Sequence, residues 1–127
     1  MKELKYYYCE HCKNIVVKLH DKGVPVVCCG EKMKEMVPGE IEAATEKHVP
    51  VIEINGQKVT VKVGSVEHPM LEEHHIGFIC LETTEGMQVK WLKVGEKPEA
   101  CFALLEGEKA VAAYEFCNLH GLWKANA

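Results

Sequence analysis

The chain has 127 residues, 47% of them hydrophobic and 27% charged, and a formal net charge of −4. That length and balance suit one soluble globular domain, or one domain with a small module attached. No apolar run approaches the ~18 residues of a membrane span, residues 1–12 lack the apolar stretch of a secretion signal, and no basic run marks a nucleic-acid or anionic-membrane partner.

Residues 1–37 contain Cys9-Glu10-His11-Cys12 and Cys28-Cys29-Gly30 but few apolar side chains. A segment this short does not fold on its own core, so a metal staple is expected. Val37-Pro38-Gly39-Glu40 carries turn chemistry and reads as a linker. Residues 38–127 read as all-β. Val51–Ile54, Asn55-Gly56 and Gln57–Val63 form the strongest hairpin signal, with Asn-Gly as a two-residue turn. That turn predicts Ile54 opposite Gln57, Glu53 opposite Lys58 and Ile52 opposite Val59. Further strands are predicted over 76–80, 87–91, 100–105 and 111–116, giving a β-sandwich or barrel. Trp91, Phe102 and Trp123 are expected in its core, and Cys80 and Cys101 as buried free thiols.

The chain has seven Cys and seven His. An odd number of cysteines excludes a fully paired disulfide framework within one chain. Without a secretion signal a reducing cytoplasm is expected, where clustered thiols more often bind metal than pair. Cys9, Cys12, Cys28 and Cys29 place four thiols within 21 residues. Cys-x-x-Cys is a familiar metal knuckle, and four thiolates suit zinc or iron. Neighbouring side chains on extended backbone point apart, so using both Cys28 and Cys29 predicts a distorted tetrahedron. The second group is Glu46-Lys47-His48, His68-Pro69-Met70, His74 and Cys117-Asn118-Leu119-His120. Imidazole suits divalent iron, copper, nickel and zinc, and one thiolate adds a strong electron donor.

Taken together, these motifs, with Val49-Pro50 after His48 and Gly121-Leu122-Trp123 after His120, resemble desulfoferrodoxin, the two-iron class of superoxide reductase. The resemblance runs from Tyr8 to Lys124. It implies a rubredoxin- or desulforedoxin-like Fe(Cys)4 domain over 1–37, held by Cys9, Cys12, Cys28 and Cys29. It implies an immunoglobulin-like β-sandwich over 38–127 carrying a second iron. His48, His68, His74 and His120 match its four equatorial nitrogen ligands and Cys117 its axial thiolate. Glu46 and Lys47 match the charged pair beside the open axial position. The activity implied is reduction of superoxide to hydrogen peroxide, with electrons from a rubredoxin-like donor, in a homodimer. Zinc can substitute in the first site. Two positions depart from the family pattern. Lys13 follows Cys12 where Gly is common, and only Gly enters left-handed backbone freely. His75 follows His74 where an aromatic ring is usual; His74 keeps the family's six-residue step from His68.

Two other readings fit the residues alone. One is an electron-transfer protein whose two irons cycle without substrate chemistry. The other is a zinc-stabilised binding module with no redox role.

Overall fold

A computed structural model describes residues 4–127. The chain divides at the turn Pro38-Gly39 into two compact units, Met1–Val37 and Pro38–Ala127. The described residues are nearly all-β, with one helical turn.

The small unit has strands β1 (Tyr6–Tyr8), β2 (Ile15–Val17), β3 (Val27–Cys28), β4 (Glu31–Lys32) and β5 (Lys34–Met36). β1 lies between β2 and β5, antiparallel to both, while β3 and β4 form a separate tight hairpin. Among the described residues of this unit, only Tyr6, Cys9 and Met33 are buried hydrophobics. Leu19, Val24 and Val27 are exposed. So small a core cannot offset the entropy of ordering the chain, and the four clustered thiols must supply the closure.

Lys13 adopts φ +71. Its backbone N–H donates to the Cys9 carbonyl at 2.9 Å, the Cys9 N–H donates to the Asn14 carbonyl at 2.9 Å, and its ammonium donates to the Glu10 carbonyl at 2.8 Å. The knuckle therefore keeps its left-handed residue although a β-carbon there costs ~1 kcal/mol or more. Lys13→Gly is expected to stabilise this unit by about 1 kcal/mol, seen as slower amide exchange at Cys9 and residue 13. Unchanged exchange would show that the Lys13 side-chain bond offsets the backbone cost.

The larger unit has one helical turn, α1 (Thr45–His48), and seven strands: β6 (Pro50–Asn55), β7 (Lys58–Val63), β8 (Ile76–Thr83), β9 (Gly86–Trp91), β10 (Glu99–Ala103), β11 (Ala110–Cys117) and β12 (Gly121–Asn126). They form two antiparallel sheets, in orders β10-β7-β6 and β12-β11-β8-β9. Val59, Val61 and Val63 of β7 and Ala100 and Phe102 of β10 pack against Ile79 and Leu81 of β8 and Ala113 and Cys117 of β11. The alternation of these residues along each strand places them on the inner faces of a sandwich.

Three details differ from the sequence expectation. The β6–β7 turn pivots on Gly56-Gln57, so Asn55 pairs with Lys58, Ile54 with Val59 and Ile52 with Val61. Gly56 alone takes positive φ there (+62), as in a turn with Gly at the first central position. This register matches Val59 and Val61 with apolar partners and leaves Glu53 to reach Lys62 diagonally at 3.3 Å. Second, Trp91 is 86% exposed, because β9 is an edge strand and Trp91 lies on the outer side of its sheet; Phe102 and Trp123 are buried as expected. Third, Cys101 is exposed, directed outward between the inward Ala100 and Phe102, whereas Cys80 is fully buried. Strand β12 adds to the strands expected from sequence.

Candidate metal centres

In the small unit the chain reverses at each pair of cysteines. Cys29 takes φ +53 and Gly30 φ +78, which turns the backbone so that adjacent Cys28 and Cys29 serve one site. The sulfurs of Cys9, Cys12, Cys28 and Cys29 lie within 4.8 Å of one another. Cys12 Sγ and Cys28 Sγ are 3.6 Å apart. Two sulfurs ~2.3 Å from a tetrahedral ion stand about 3.8 Å apart, so the spacing fits. The Cys12 N–H points to Cys9 Sγ at 3.5 Å and the Asn14 side-chain amide to Cys28 Sγ at 3.8 Å. Backbone N–H groups, chiefly that of Cys12, draw the Cys9 thiol down to about 6, while the neighbouring thiols push Cys29 up to about 12. Four sulfurs this close cannot all ionise without a cation among them. The donor set therefore fits one soft-liganded metal ion.

The second cluster is assembled from three segments of the larger unit. His48 ends α1, His68 and His74 lie between β7 and β8, and Cys117 and His120 frame the β11–β12 turn. His48, His74, Cys117 and His120 each offer a donor atom within 4.8 Å of the others. His68 joins them, its Nε2 lying 3.2 Å from His48 Nε2 and 3.4 Å from Cys117 Sγ. His48 and His68 donate their Nδ1–H groups to the carbonyls of Ala44 (2.8 Å) and Pro69 (2.7 Å). Each Nε2 is then a bare lone pair, and the two face each other. His120 presents Nδ1, 3.1 Å from His48 Nε2, and His74 Nε2 is buried without a partner. Converging lone pairs repel unless a cation sits between them. The arrangement fits a metal ion with three Nε2 donors, one Nδ1 donor and one sulfur.

Burial pushes His68 down to about 4 and lowers His48 and His74, so these imidazoles stay neutral and available near pH 7. Burial also raises the Cys117 thiol, so a metal must displace its proton. Glu46 and Lys47 are exposed on α1, beside buried His48. The Lys47 charge contributes to the lowered pKa of both His48 and His74, so its field reaches the cluster.

The surroundings of this cluster were not legible as site residues. Gly64 lies against α1: a β-carbon there would stand 2.7 Å from the Glu46 carbonyl oxygen and 3.0 Å from that of Val49. The same Glu46 carbonyl accepts the Val66 N–H at 2.9 Å and the Ser65 hydroxyl at 3.2 Å, which holds the Glu46–His48 turn in place. Trp123, expected only as core, packs its ring 5.0 Å from His48 and donates its indole N–H to the His120 carbonyl at 3.0 Å. Glu115, opposite Ile79 and Trp123 in the sheet, is fully buried and neither carboxylate oxygen has a hydrogen-bond partner. Burial pushes its carboxyl up to about 9. His75 turns away from the cluster, its Nδ1–H directed at the carbonyls of Leu71 and Glu72. His11 pairs with Glu31 at 3.2 Å and stays outside the first cluster.

The family model for desulfoferrodoxin matches residues 40–126. The chain belongs to the desulfoferrodoxin family. It is 52% identical to desulfoferrodoxin of Nitratidesulfovibrio vulgaris, over 98% of each chain. It is 47% identical to that of Syntrophotalea carbinolica, over 97% of this chain and 96% of the other. Its fold matches the superoxide reductase of Treponema pallidum with a TM-score of 0.84 at 41% identity, over 98% of each chain. The superoxide reductase of Giardia intestinalis matches 65% of this desulfoferrodoxin-family chain and 97% of its own, at 35% identity and a TM-score of 0.56. Among the described residues, no helix is long and apolar enough to cross a membrane.

Proposed function

We propose that the chain is a superoxide reductase whose larger unit reduces superoxide to hydrogen peroxide at ferrous iron held by His48, His68, His74, His120 and Cys117. The observation that carries this reading is the convergence of bare imidazole nitrogens and one buried thiol on a single point. The Giardia protein supports placing catalysis in the larger unit, since about two thirds of this chain matches almost its whole length. Iron bound there supplies the one electron that the reaction needs.

The protein's own groups do the rest. Four neutral imidazoles would leave an ion held there cationic and receptive to an anion, and the Cys117 thiolate would donate electron density to it. Lys47 sets a permanent positive charge beside His48 in a chain of net charge −4, so it attracts superoxide against the global field. Lys47 also holds the water that delivers the first of the two protons. Glu46, exposed on the same helical turn, would offer a carboxylate that competes with the product for an ion held there. Lys47→Ala is expected to slow superoxide capture ~10-fold at low salt and to flatten its salt dependence, as read by pulse radiolysis. An unchanged rate and slope would remove the steering role.

Residues 1–37 act in this reading as a desulforedoxin-like domain binding iron, or zinc in its place, through Cys9, Cys12, Cys28 and Cys29. Residues 38–127 form the catalytic domain, with an immunoglobulin-like arrangement of strands. A small rubredoxin-like protein returns the electron, and the working form is a cytoplasmic homodimer. The deciding experiment gives the reduced, iron-loaded chain a known pulse of superoxide without oxygen. One peroxide per superoxide, with iron oxidised in step and no dioxygen, is expected. One peroxide per two superoxides, with dioxygen, would mean dismutation. No reaction above background with both sites filled would favour a non-catalytic electron carrier.

A further inference from the structure

His74 and His75 are chemically identical and adjacent. Consecutive Cα atoms stand ~3.8 Å apart, so a one-residue slip of this segment would exchange the two rings at the second cluster. The hydrogen bonds internal to residues 71–75 do not oppose that slip. His74 exchanges backbone hydrogen bonds only with Leu71, at 2.9 and 3.1 Å, and the His75 ring bonds Leu71 and Glu72. All of these would move with the segment.

One side chain ties the segment to the other side of the cluster, just before β8 begins by pairing Ile76 with Cys117. The Asn118 side-chain oxygen accepts the His75 backbone N–H at 2.8 Å, and its amide donates to the Glu73 carbonyl at 3.1 Å. Its backbone N–H donates to the His75 carbonyl at 3.2 Å. Asn118 thus grips the peptide groups on both sides of His74 across more than 40 residues of sequence, and it directly follows Cys117.

We propose that Asn118 is a positioning residue that selects His74 over His75 as a nitrogen donor of the second centre, by clamping the backbone on both sides of His74. This rests on the reading that the centre holds iron. The side chain suits the task because it both accepts and donates in one plane. Ala keeps neither arm. Asp keeps the acceptor for His75 but turns an oxygen toward the Glu73 carbonyl.

The test measures ferrous iron affinity by chelator competition, and the visible thiolate-to-iron absorption after oxidation, on the full chain. His75→Ala alone is expected to leave both unchanged within twofold. Asn118→Ala is expected to weaken ferrous binding ~10–100-fold, the usual cost of losing an outer support of a ligand. It should also shift or broaden the absorption band as His75 competes. Adding His75→Ala to Asn118→Ala should return the band to its wild-type position, since only His74 then remains. Asn118→Asp, with one arm kept, should fall between, and it carries the same cycle with His75→Ala should Asn118→Ala not fold. A purely structural role would lower stability equally with or without His75. A wild-type band in Asn118→Ala, or a shifted band that His75→Ala does not restore, would overturn the clamp alone. Failure of the wild-type chain to bind ferrous iron through the Cys117 thiolate would overturn the iron reading and the clamp together.

Discussion

Cys117→Ser is expected to lower the second-order rate with superoxide by at least ~100-fold and to abolish the thiolate absorption, while the sandwich stays folded. Cys117 is fully buried on the inner face, and Ser is close to it in size. Metal-free stability should therefore change by only about 1 kcal/mol. The chemical change is much larger. The Cys117 thiol would give up its proton to a bound metal and would be the single anionic donor among the five. A serine hydroxyl in the same buried place keeps its proton, so the iron would be left with neutral donors alone. The electron donation that a thiolate would supply to the iron is then missing. Stopped-flow mixing or pulse radiolysis reads the rate, and circular dichroism of the metal-free variant reads the fold. A rate within twofold of wild type would remove Cys117 from the reaction.

Glu115→Gln should stabilise the metal-free chain by about 3 kcal/mol at pH 7 and by almost nothing near pH 4. The sign follows from the shift. The native carboxyl is pushed up to about 9 from an ordinary value of 4.5. Between those values the folded chain holds a proton that the unfolded chain releases, so stability falls as pH rises. At pH 7 the unfolded carboxyl is about 2.5 units above its own midpoint, and each unit is worth about 1.4 kcal/mol. Gln matches the shape and carries no titrating group. Both proteins should melt together at pH 4. The variant should melt roughly 10 °C or more above wild type at pH 7. Parallel melting curves from pH 4 to 9 would show that Glu115 is already ionised in the native state.

The larger unit was legible because its signals are local. Alternation in 58–63 and the Gly after Asn55 announced a hairpin, and six of its seven strands were anticipated. The hairpin register was misjudged because Asn-Gly and Gly-Gln are both possible two-residue turns. Only the pairing of Val59 with Ile54 and Val61 with Ile52 decides between them, and pattern alone weighs such pairing weakly. The donor sets were visible as residue types at recurring spacings. Their supports were not. Nothing at Gly64 announces that a turn 16 residues upstream will lie against it. Nothing at Asn118 announces Glu73 and His75. Trp91 and Cys101 were placed inside because strand alternation does not say which face is covered, and an edge strand leaves one bare.

The two donor sets also differ in how much chain must exist before each is complete. All four thiols are present once residue 29 has been made, but the last imidazole comes about 90 residues later. At a synthesis rate of roughly 5–20 residues per second, that interval is on the order of 5–20 seconds. A nascent chain thus carries a finished sulfur trap while its imidazole site is still being written. Ions that reach it early meet thiols and little else. The thiols are therefore the first complete donor set offered to an ion, ahead of any difference in affinity. The imidazole site then takes its ion from whatever the cell offers once the sandwich has closed.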